Sequence, residues 1–218
     1  MSFFAKTKPE KIAIVVDCSK DLKSVECRNE PSKFREKTKF DHVKNAVAIM
    51  VKSKAHISTK HQYSLFTLDE TANLLVPFTE SSEQIIETLQ QLEAYSEHSS
   101  CNLDSIFEAL GSTVDLADQE YLVRVIVVYG SKSAIPAVSE ETTTGMLVDY
   151  VYLHDEFSQP NKEVILSELS KLKPSNKTNY SFSIGMDIHE LYKAFSLLTA
   201  HPQQRISQEE IHNHFNQS

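Results

Sequence analysis

Lys11–Asp17 reads KIAIVVD, an unbroken apolar run that ends on an acidic residue. A strand in the middle of a parallel sheet is covered by helices on both faces, so its residues are apolar throughout and do not alternate with polar ones. We therefore predict a central parallel strand at Lys11–Asp17. Its carboxyl end, at Asp17, is where an open α/β sheet places its ligands.

Outward from this strand, further strand signals follow along the chain. Leu122–Tyr129 (LVRVIVVY) is a second continuous apolar run, and Asp69-Glu70 separates two short runs that predict a hairpin. The remaining predicted strands are Gln62–Asp69 and Thr71–Phe78 in the hairpin, Asp149–His154 (DYVYLH), and Tyr180–Gly185. Ser19–Lys37, which is polar and contains Pro31, is predicted to be a long loop.

Helical periodicity fills the intervals between the strands. Apolar residues recur every three or four positions after Thr38, after Ser81-Ser82 and after Asn102. The same spacing predicts helices at Lys162–Leu172 and Asp187–Ala200. The fold class is therefore α/β, with a mostly parallel sheet, one antiparallel edge strand from the hairpin, and helices on both faces.

The predicted organisation is an N-terminal arm at 1–10, one domain at 11–200 and a polar C-terminal tail at 201–218. The net charge of −8 argues against a nucleic-acid partner, because phosphate binding relies on Lys and Arg. No apolar run approaches the length of a membrane span, and the N-terminus lacks the apolar core of a secretory signal. The scattered cysteines Cys18, Cys27 and Cys101 indicate reduced thiols in a cytosolic or nuclear protein.

The loop after the first strand, Asp17-Cys18-Ser19-Lys20-Asp21, resembles the D-x-S-x-S loop of von Willebrand factor A domains. There, the Asp and two Ser residues position a divalent metal with a Thr and a second acid from later loops, because hard cations need several oxygen ligands. Here Asp21 replaces the second Ser, and Lys132 lies in the loop where the second acid is expected. Two interpretations remain: Asp17, Ser19 and Asp21 form a degenerate vestige in which Asp17 accepts backbone N–H bonds, or they hold Mg²⁺. We expect no metal and no cofactor.

Catalytic motifs are not apparent. The four glycines, Gly111, Gly130, Gly145 and Gly185, form neither a dinucleotide-binding pattern nor a P-loop. No nucleophile elbow of the G-x-S-x-G type occurs. We therefore expect a protein without catalytic residues.

The whole chain resembles the von Willebrand factor A-like scaffold subunits of the BRISC deubiquitinase complex and its BRCA-type counterpart. The stretches that carry the resemblance are Pro9–Ser19, Leu89–Leu110 with NLDSIFEAL, Tyr121–Tyr129 followed by Asp149–His154, and Leu191–Arg205 ending in LLTAHPQQR. The resemblance implies a non-catalytic scaffold in the cytoplasm and nucleus that binds the ubiquitin-E2-variant subunit Bre. An Abraxas-type scaffold and an MPN metalloprotease, which cleaves lysine-63-linked ubiquitin, belong to the same assembly. The family's tankyrase-binding motif has no counterpart in this sequence.

The tail contains scattered apolar residues in a polar context, which is typical of a segment that docks in a partner groove or of a disordered terminus. The predicted partner-binding residues are His201, Pro202, Arg205, Ile206, Ile211 and Phe215. Two other functions remain open. One is a metal-dependent ligand-binding A domain, and the other is an A-domain subunit of a different intracellular ubiquitin, proteasome or DNA-repair complex.

Overall fold

The computed structural model describes residues 7–24, 37–115, 119–139, 146–155, 161–172, 178–185 and 187–216, with the side chains of 212 and 214–216 outside that description. The strands are Glu10–Asp17 (β1), Gln62–Leu68 (β2), Ala72–Thr79 (β3), Ser100–Asn102 (β4), Leu122–Tyr129 (β5), Ile135–Ala137 (β6), Leu147–Leu153 (β7) and Ser181–Ile184 (β8). The helices are Lys39–Ile57 (α1), Ser82–Gln91 (α2), Asp104–Gly111 (α3), Lys162–Ser170 (α4), Ile188–Thr199 (α5) and Gln208–Asn216 (α6).

The main sheet has six strands in the order β3-β2-β1-β5-β7-β8. Strands β2, β1, β5, β7 and β8 are parallel, and β3 is antiparallel to β2 at one edge. This confirms the predicted α/β class and its antiparallel edge strand. The hairpin and the two long buried strands were also predicted correctly.

Residues Ile12–Val16 of strand β1 are all apolar because the two faces of the strand pack against two different cores. Its residues Ile12, Ile14 and Val16 face the core formed with α1, α2 and α5. Its residues Ala13 and Val15 face the opposite core, which α3 and α4 cover. Alternate strand residues point to opposite sides of the sheet, so a strand with helices on both sides has no exposed face.

Helix α1 begins at the predicted position because of a capping box. The Thr38 hydroxyl accepts the Asp41 N–H at 3.1 Å, and the Asp41 carboxylate accepts the Thr38 N–H at 3.0 Å. This reciprocal pair satisfies two of the donors that a helix start leaves open. The predicted loop at Ser19–Lys37 contains a 3-10 turn at Lys20–Lys23, whereas 25–36, and Cys27 with them, lie outside the described residues.

A second, two-stranded parallel sheet pairs β4 with β6 and was not predicted from the sequence. Each strand has three residues, which is too short for a hydrophobic period to show. The short strand β4 also delays α3, which begins at Asp104 instead of Asn102. Among the described residues, no helix has the length and apolar character needed to cross a membrane.

Candidate functional site

Asp17 ends β1 at the carboxyl edge of the sheet and is fully buried. Its Oδ1 accepts the Ser19 N–H at 2.7 Å, and its Oδ2 accepts the N–H groups of Gly130 and Ser131, each at 2.8 Å. Because β1 and β5 are parallel neighbours, the loop after β5 comes within reach of Asp17. Asp17 therefore joins two strand-end loops by accepting backbone N–H bonds, which is one of the two interpretations that the sequence left open.

Burial raises the pKa of Asp17 to about 6, and the backbone donors Gly130 and Ser19 oppose this rise. A buried carboxylate in this position depends on those donors, since a charge without them is strongly disfavoured away from water. Gly130 also allows a close approach of the two loops. A Cβ there would lie 2.3 Å from Leu22 Cδ2, in the 3-10 turn that follows Asp17.

Ser19 and Asp21, the other two residues of the predicted degenerate metal site, also make hydrogen bonds within the chain. Asp21 Oδ2 accepts the Lys132 N–H at 2.7 Å, and the Ser19 hydroxyl accepts the Asp21 N–H at 3.2 Å. The Lys132 ammonium lies 2.5 Å from Asp155, which also pairs with Lys39 at 2.6 Å. A lysine therefore stands in the loop where an A domain supplies its second acid.

These contacts decide whether the loop fits a divalent cation. Both oxygens of Asp17 already accept hydrogen bonds, and Lys132 brings a positive charge into the adjoining loop. Within the described ranges, no group of three or more His, Cys, Asp or Glu side chains is placed to hold a metal ion. The residues Asp17, Ser19 and Asp21 therefore do not fit the octahedral oxygen shell that Mg²⁺ requires.

Beside Asp17, the loops at the strand ends line a polar depression of about 360 Å³ that is open to solvent. Ser96 and His98 lie on its wall and are joined by a hydrogen bond of 3.0 Å between the hydroxyl and Nδ1. Lys20 and Glu97 pair across its rim at 2.7 Å. The depression is therefore lined by hydroxyl and paired charged groups, and it is not an apolar ligand pocket of the usual kind.

The two described cysteines, Cys18 and Cys101, lie near this edge and are free and buried. Burial raises the pKa of Cys18 to about 12, and burial likewise raises the pKa of Cys101. The thiolate is the reactive form of cysteine, so both side chains act as apolar packing groups.

The side chain of Arg205, which was predicted to contact a partner, is buried inside the domain. Its Nη1 donates to both carboxylate oxygens of Asp149, at 2.9 and 3.1 Å, and its guanidinium lies over the Tyr180 ring. It also donates to the carbonyls of Leu198 and Ala200 at the end of α5. A cation at a helix C-terminus is favoured by the helix dipole, and only 1% of the Arg205 side chain is exposed.

His201 and Pro202 are buried as well. The Nε2 of His201 donates to the Lys8 carbonyl at 2.9 Å, while its Nδ1 accepts the Gln203 N–H at 3.2 Å. The side chains of His201 and Arg205 are thus occupied by contacts within the domain, and Pro202 is buried. Contact of these three residues with a partner stays a prediction. The sequence analysis placed the end of the domain at residue 200, but residues 201 and 205 also make contacts with the domain.

The other predicted tail residues differ from these three. Ile206 is 47% exposed, whereas Ile211 packs against the core from α6. The side chain of Phe215 lies outside the described residues. Partner contact through Ile206, Ile211 and Phe215 stays a prediction.

A buried charge cluster at the amino end of the sheet was missed by the sequence analysis. Glu10 pairs with Lys54 and with Arg124, and Arg124 pairs with Asp149 at 2.7 Å, so that Arg205 joins a continuous network. Burial by itself raises the pKa of Glu10 and of Asp149, but the cations, Arg124 foremost, outweigh burial and lower both. The signal in the sequence was a charged residue inside a buried strand, since such charges persist only when paired.

The fold and the strand-end loops define the class of protein. The family model of the von Willebrand factor type A domain matches residues 12–132, and the chain belongs to this family. The predicted resemblance is also confirmed. The chain is similar to BRISC and BRCA1-A complex member 1 from Xenopus tropicalis, with 23% identity over 216 residues, covering 90% of this chain and 67% of the relative. The Xenopus laevis protein of the same name is 23% identical over 217 residues, covering 90% and 65%.

This chain spans about two thirds of the length of these relatives. Among solved structures, the SpRpn10 VWA domain has a TM-score of 0.60 and 13% identity, covering 91% of this chain and 98% of that one. At that identity the likeness shows the fold alone. The shared domain and the names of the relatives support a role as a subunit of a protein complex.

Proposed function

We propose that this chain is a non-catalytic scaffold subunit of a lysine-63-specific deubiquitinase complex of the BRISC or BRCA1-A kind. In this proposal it binds the Bre-type subunit directly, in an assembly with an Abraxas-type scaffold and an MPN metalloprotease that carries the cleavage. The proposal is supported by similarity to relatives named as members of these complexes. The proposed location is the cytoplasm and the nucleus, where complexes of the BRISC and BRCA1-A kind would act.

The metal-independent part of this proposal is supported by the contacts of Asp17 within its own domain. An adhesion-type A domain binds its ligand through a metal on this loop, which requires free oxygen ligands. Here both oxygens of Asp17 accept backbone N–H groups, three in all, and Lys132 lies in the neighbouring loop. Partner binding by this domain is therefore proposed to depend on surface contacts without a bound cation.

The C-terminal segment is the proposed docking region. Ile206 exposes 47% of its surface directly after the buried Arg205 side chain, and its carbonyl accepts the Tyr180 hydroxyl, so the domain holds the backbone at this apolar residue. A rigidly held apolar anchor loses little conformational entropy when it enters a partner groove. Ile206 is thus the described tail residue that best suits a hot spot of the interface.

Co-purification with the Bre-type subunit tests the proposal. We expect a stoichiometric complex whose yield is the same in EDTA and in Mg²⁺. The variant Ile206→Ser should reduce the yield, while the matched variant Ile57→Ser, at an isoleucine with 68% exposure on α1, should not. A complex that forms only with Mg²⁺, or no complex at all, would contradict the proposed function. Equal yields for both variants would contradict docking at Ile206.

A further inference from the structure

The polar depression at the strand ends has walls that the fold holds in place. The Lys20 N–H donates to the Ser96 carbonyl at 2.9 Å, which joins the loop after β1 to the segment before β4. The Lys132 N–H donates to Asp21 Oδ2 at 2.7 Å, which adds the loop after β5. The shape of the depression is therefore present before a ligand binds, and a ligand loses little free energy in ordering it.

The charge of this depression is negative. Its lining contains the acidic residues Asp21, Glu70 and Glu97 and a single lysine, Lys20. Lys20 pairs with Glu97 at 2.7 Å, whereas Asp21 and Glu70 pair with no cation in the described part of the chain. Two carboxylates therefore make the depression attractive to a positively charged ligand.

His98 gives a second and independent reason to expect a ligand. Its ring lines the depression and is 7% exposed. Its Nδ1 shares a hydrogen bond with the Ser96 hydroxyl, but its Nε2 has no hydrogen-bond partner among the residues that the structure describes. Buried polar atoms are nearly always hydrogen-bonded, so an unpartnered nitrogen in the wall of an open depression favours a ligand that forms hydrogen bonds.

The form of the depression selects an organic cation on a second protein. No group of three or more His, Cys, Asp or Glu side chains in the described ranges is placed to hold a metal ion. A guanidinium has five N–H donors in one plane, so it can meet carboxylate, hydroxyl and imidazole acceptors together, whereas an ammonium has three donors on one strongly hydrated nitrogen. Small-molecule sites enclose most of their ligand, but this depression is open to solvent and has room for one side chain.

We propose that the polar depression binds an arginine side chain of a partner protein. The charge of the guanidinium offsets those of Asp21 and Glu70, and one of its N–H groups donates to His98 Nε2. The imidazole proton then lies on Nδ1 and is donated to the Ser96 hydroxyl. A divalent cation at this edge of the sheet would attract an anionic group, and the unpaired carboxylates reverse that preference. This inference does not depend on the proposed function.

Titration of the isotope-labelled protein, followed by nuclear magnetic resonance, tests the proposal. The probe is a blocked pentapeptide with arginine between two pairs of glycines. We expect saturable shifts of the Lys20 and Ser96 amides and of the His98 Nε2 resonance. The citrulline peptide, which keeps the shape and loses the charge, should not bind, and the lysine peptide should bind more weakly. Absence of a saturable shift, or equal binding of the citrulline peptide, would overturn the proposal, and equal binding of the lysine peptide would overturn the assignment to a guanidinium.

Charge variants separate this site from the general attraction of a basic peptide to an acidic protein. Glu70→Gln removes an exposed carboxylate from the depression and should weaken binding about threefold, whereas Glu87→Gln, exposed on α2, should not. Lys20→Gln frees Glu97 and should strengthen binding about twofold, whereas the exposed control Lys60→Gln should not. Equal effects of the two glutamate variants, or weaker binding by Lys20→Gln, would contradict binding in the depression.

Discussion

Arg205 and Asp149 form a buried ion pair across 56 residues of sequence, with the Arg205 Nη1 at 2.9 Å from one carboxylate oxygen and 3.1 Å from the other. Both side chains are 1% exposed. The pair fixes the chain after α5 to the start of β7. Removal of Asp149 leaves Arg205 buried without its counter-charge, and removal of Arg205 leaves Asp149 with Arg124 as its remaining cation. Breaking a buried pair in this way costs far more than the pair's own net contribution.

We predict that Arg205→Ala lowers the free energy of unfolding by about 3 kcal/mol, because Asp149 loses one of its two arginines and the carbonyls at the end of α5 lose a donor. Denaturant unfolding followed by circular dichroism measures the loss. Gln204→Ala is the control at the preceding, exposed residue, and it should change stability by less than about 0.5 kcal/mol. Equal losses in the two variants would show that Arg205 has no special role.

Asp17→Ala should destabilise the protein by about 3 kcal/mol, because three buried N–H groups lose their acceptor. The midpoint of thermal unfolding of the wild type should be the same in EDTA and in Mg²⁺. Glu97→Ala is the control, since it removes an exposed carboxylate from the same edge of the sheet. A rise of the wild-type midpoint with Mg²⁺ that Asp17→Ala abolishes would instead indicate a working cation site.

Stability should depend on pH through His61. Burial, with a contribution from Lys54, lowers the pKa of His61 from 6.5 to about 4. Between these values the unfolded chain binds a proton that the folded protein does not, so the contribution of His61 to stability is lost as the pH falls. His61→Asn keeps an acceptor for the Glu10 N–H, which now bonds Nδ1 at 2.9 Å, and removes the titration.

The measurement is the free energy of unfolding at about pH 7 and pH 5 for the wild type and for His61→Asn. The variant should lose less stability than the wild type over this interval. His56→Asn, at an exposed histidine near the end of α1, should keep the wild-type dependence. If the His61 and His56 variants have the same dependence on pH, the titration of His61 does not contribute.

Two glycines should respond oppositely to alanine. Gly130→Ala places a Cβ 2.3 Å from Leu22 and should destabilise by about 1–3 kcal/mol through overpacking. Gly111 has open space around a built Cβ and is the last residue of α3, so Gly111→Ala should be neutral or stabilising by up to about 1 kcal/mol. Thermal unfolding of the two variants side by side provides the test, and a neutral Gly130→Ala would contradict the close approach of the two loops.

The sequence predicted those parts of the fold that follow from long hydrophobic patterns. The runs at Lys11–Asp17 and Leu122–Tyr129 are visible because a strand between two helical layers must be apolar on both sides. The strands β4 and β6 were missed, since three residues carry no period and their pairing depends on tertiary contacts.

The position of Asp17 at the end of β1 was predicted from the sequence, whereas its hydrogen-bond partners were not. Asp17 could be placed at the strand ends because parallel strands finish at one edge, and its two possible uses could be stated from residue types. Which donors it takes depends on how closely the loop at Gly130 approaches, and that distance is not encoded in any local pattern. The same limit applies to Arg205, whose pairing with Asp149 is a contact across 56 residues.

The pairing of Arg205 with Asp149 also has a consequence for synthesis of the chain. Domains of nascent proteins fold from the N-terminus as residues leave the ribosome. All six strands of the main sheet precede Arg205 in the chain and leave the ribosome before it. Until Arg205 follows, Asp149 can pair with only one of its two arginines, Arg124. Arg205 therefore completes the buried charge network only after all of its other members have left the ribosome.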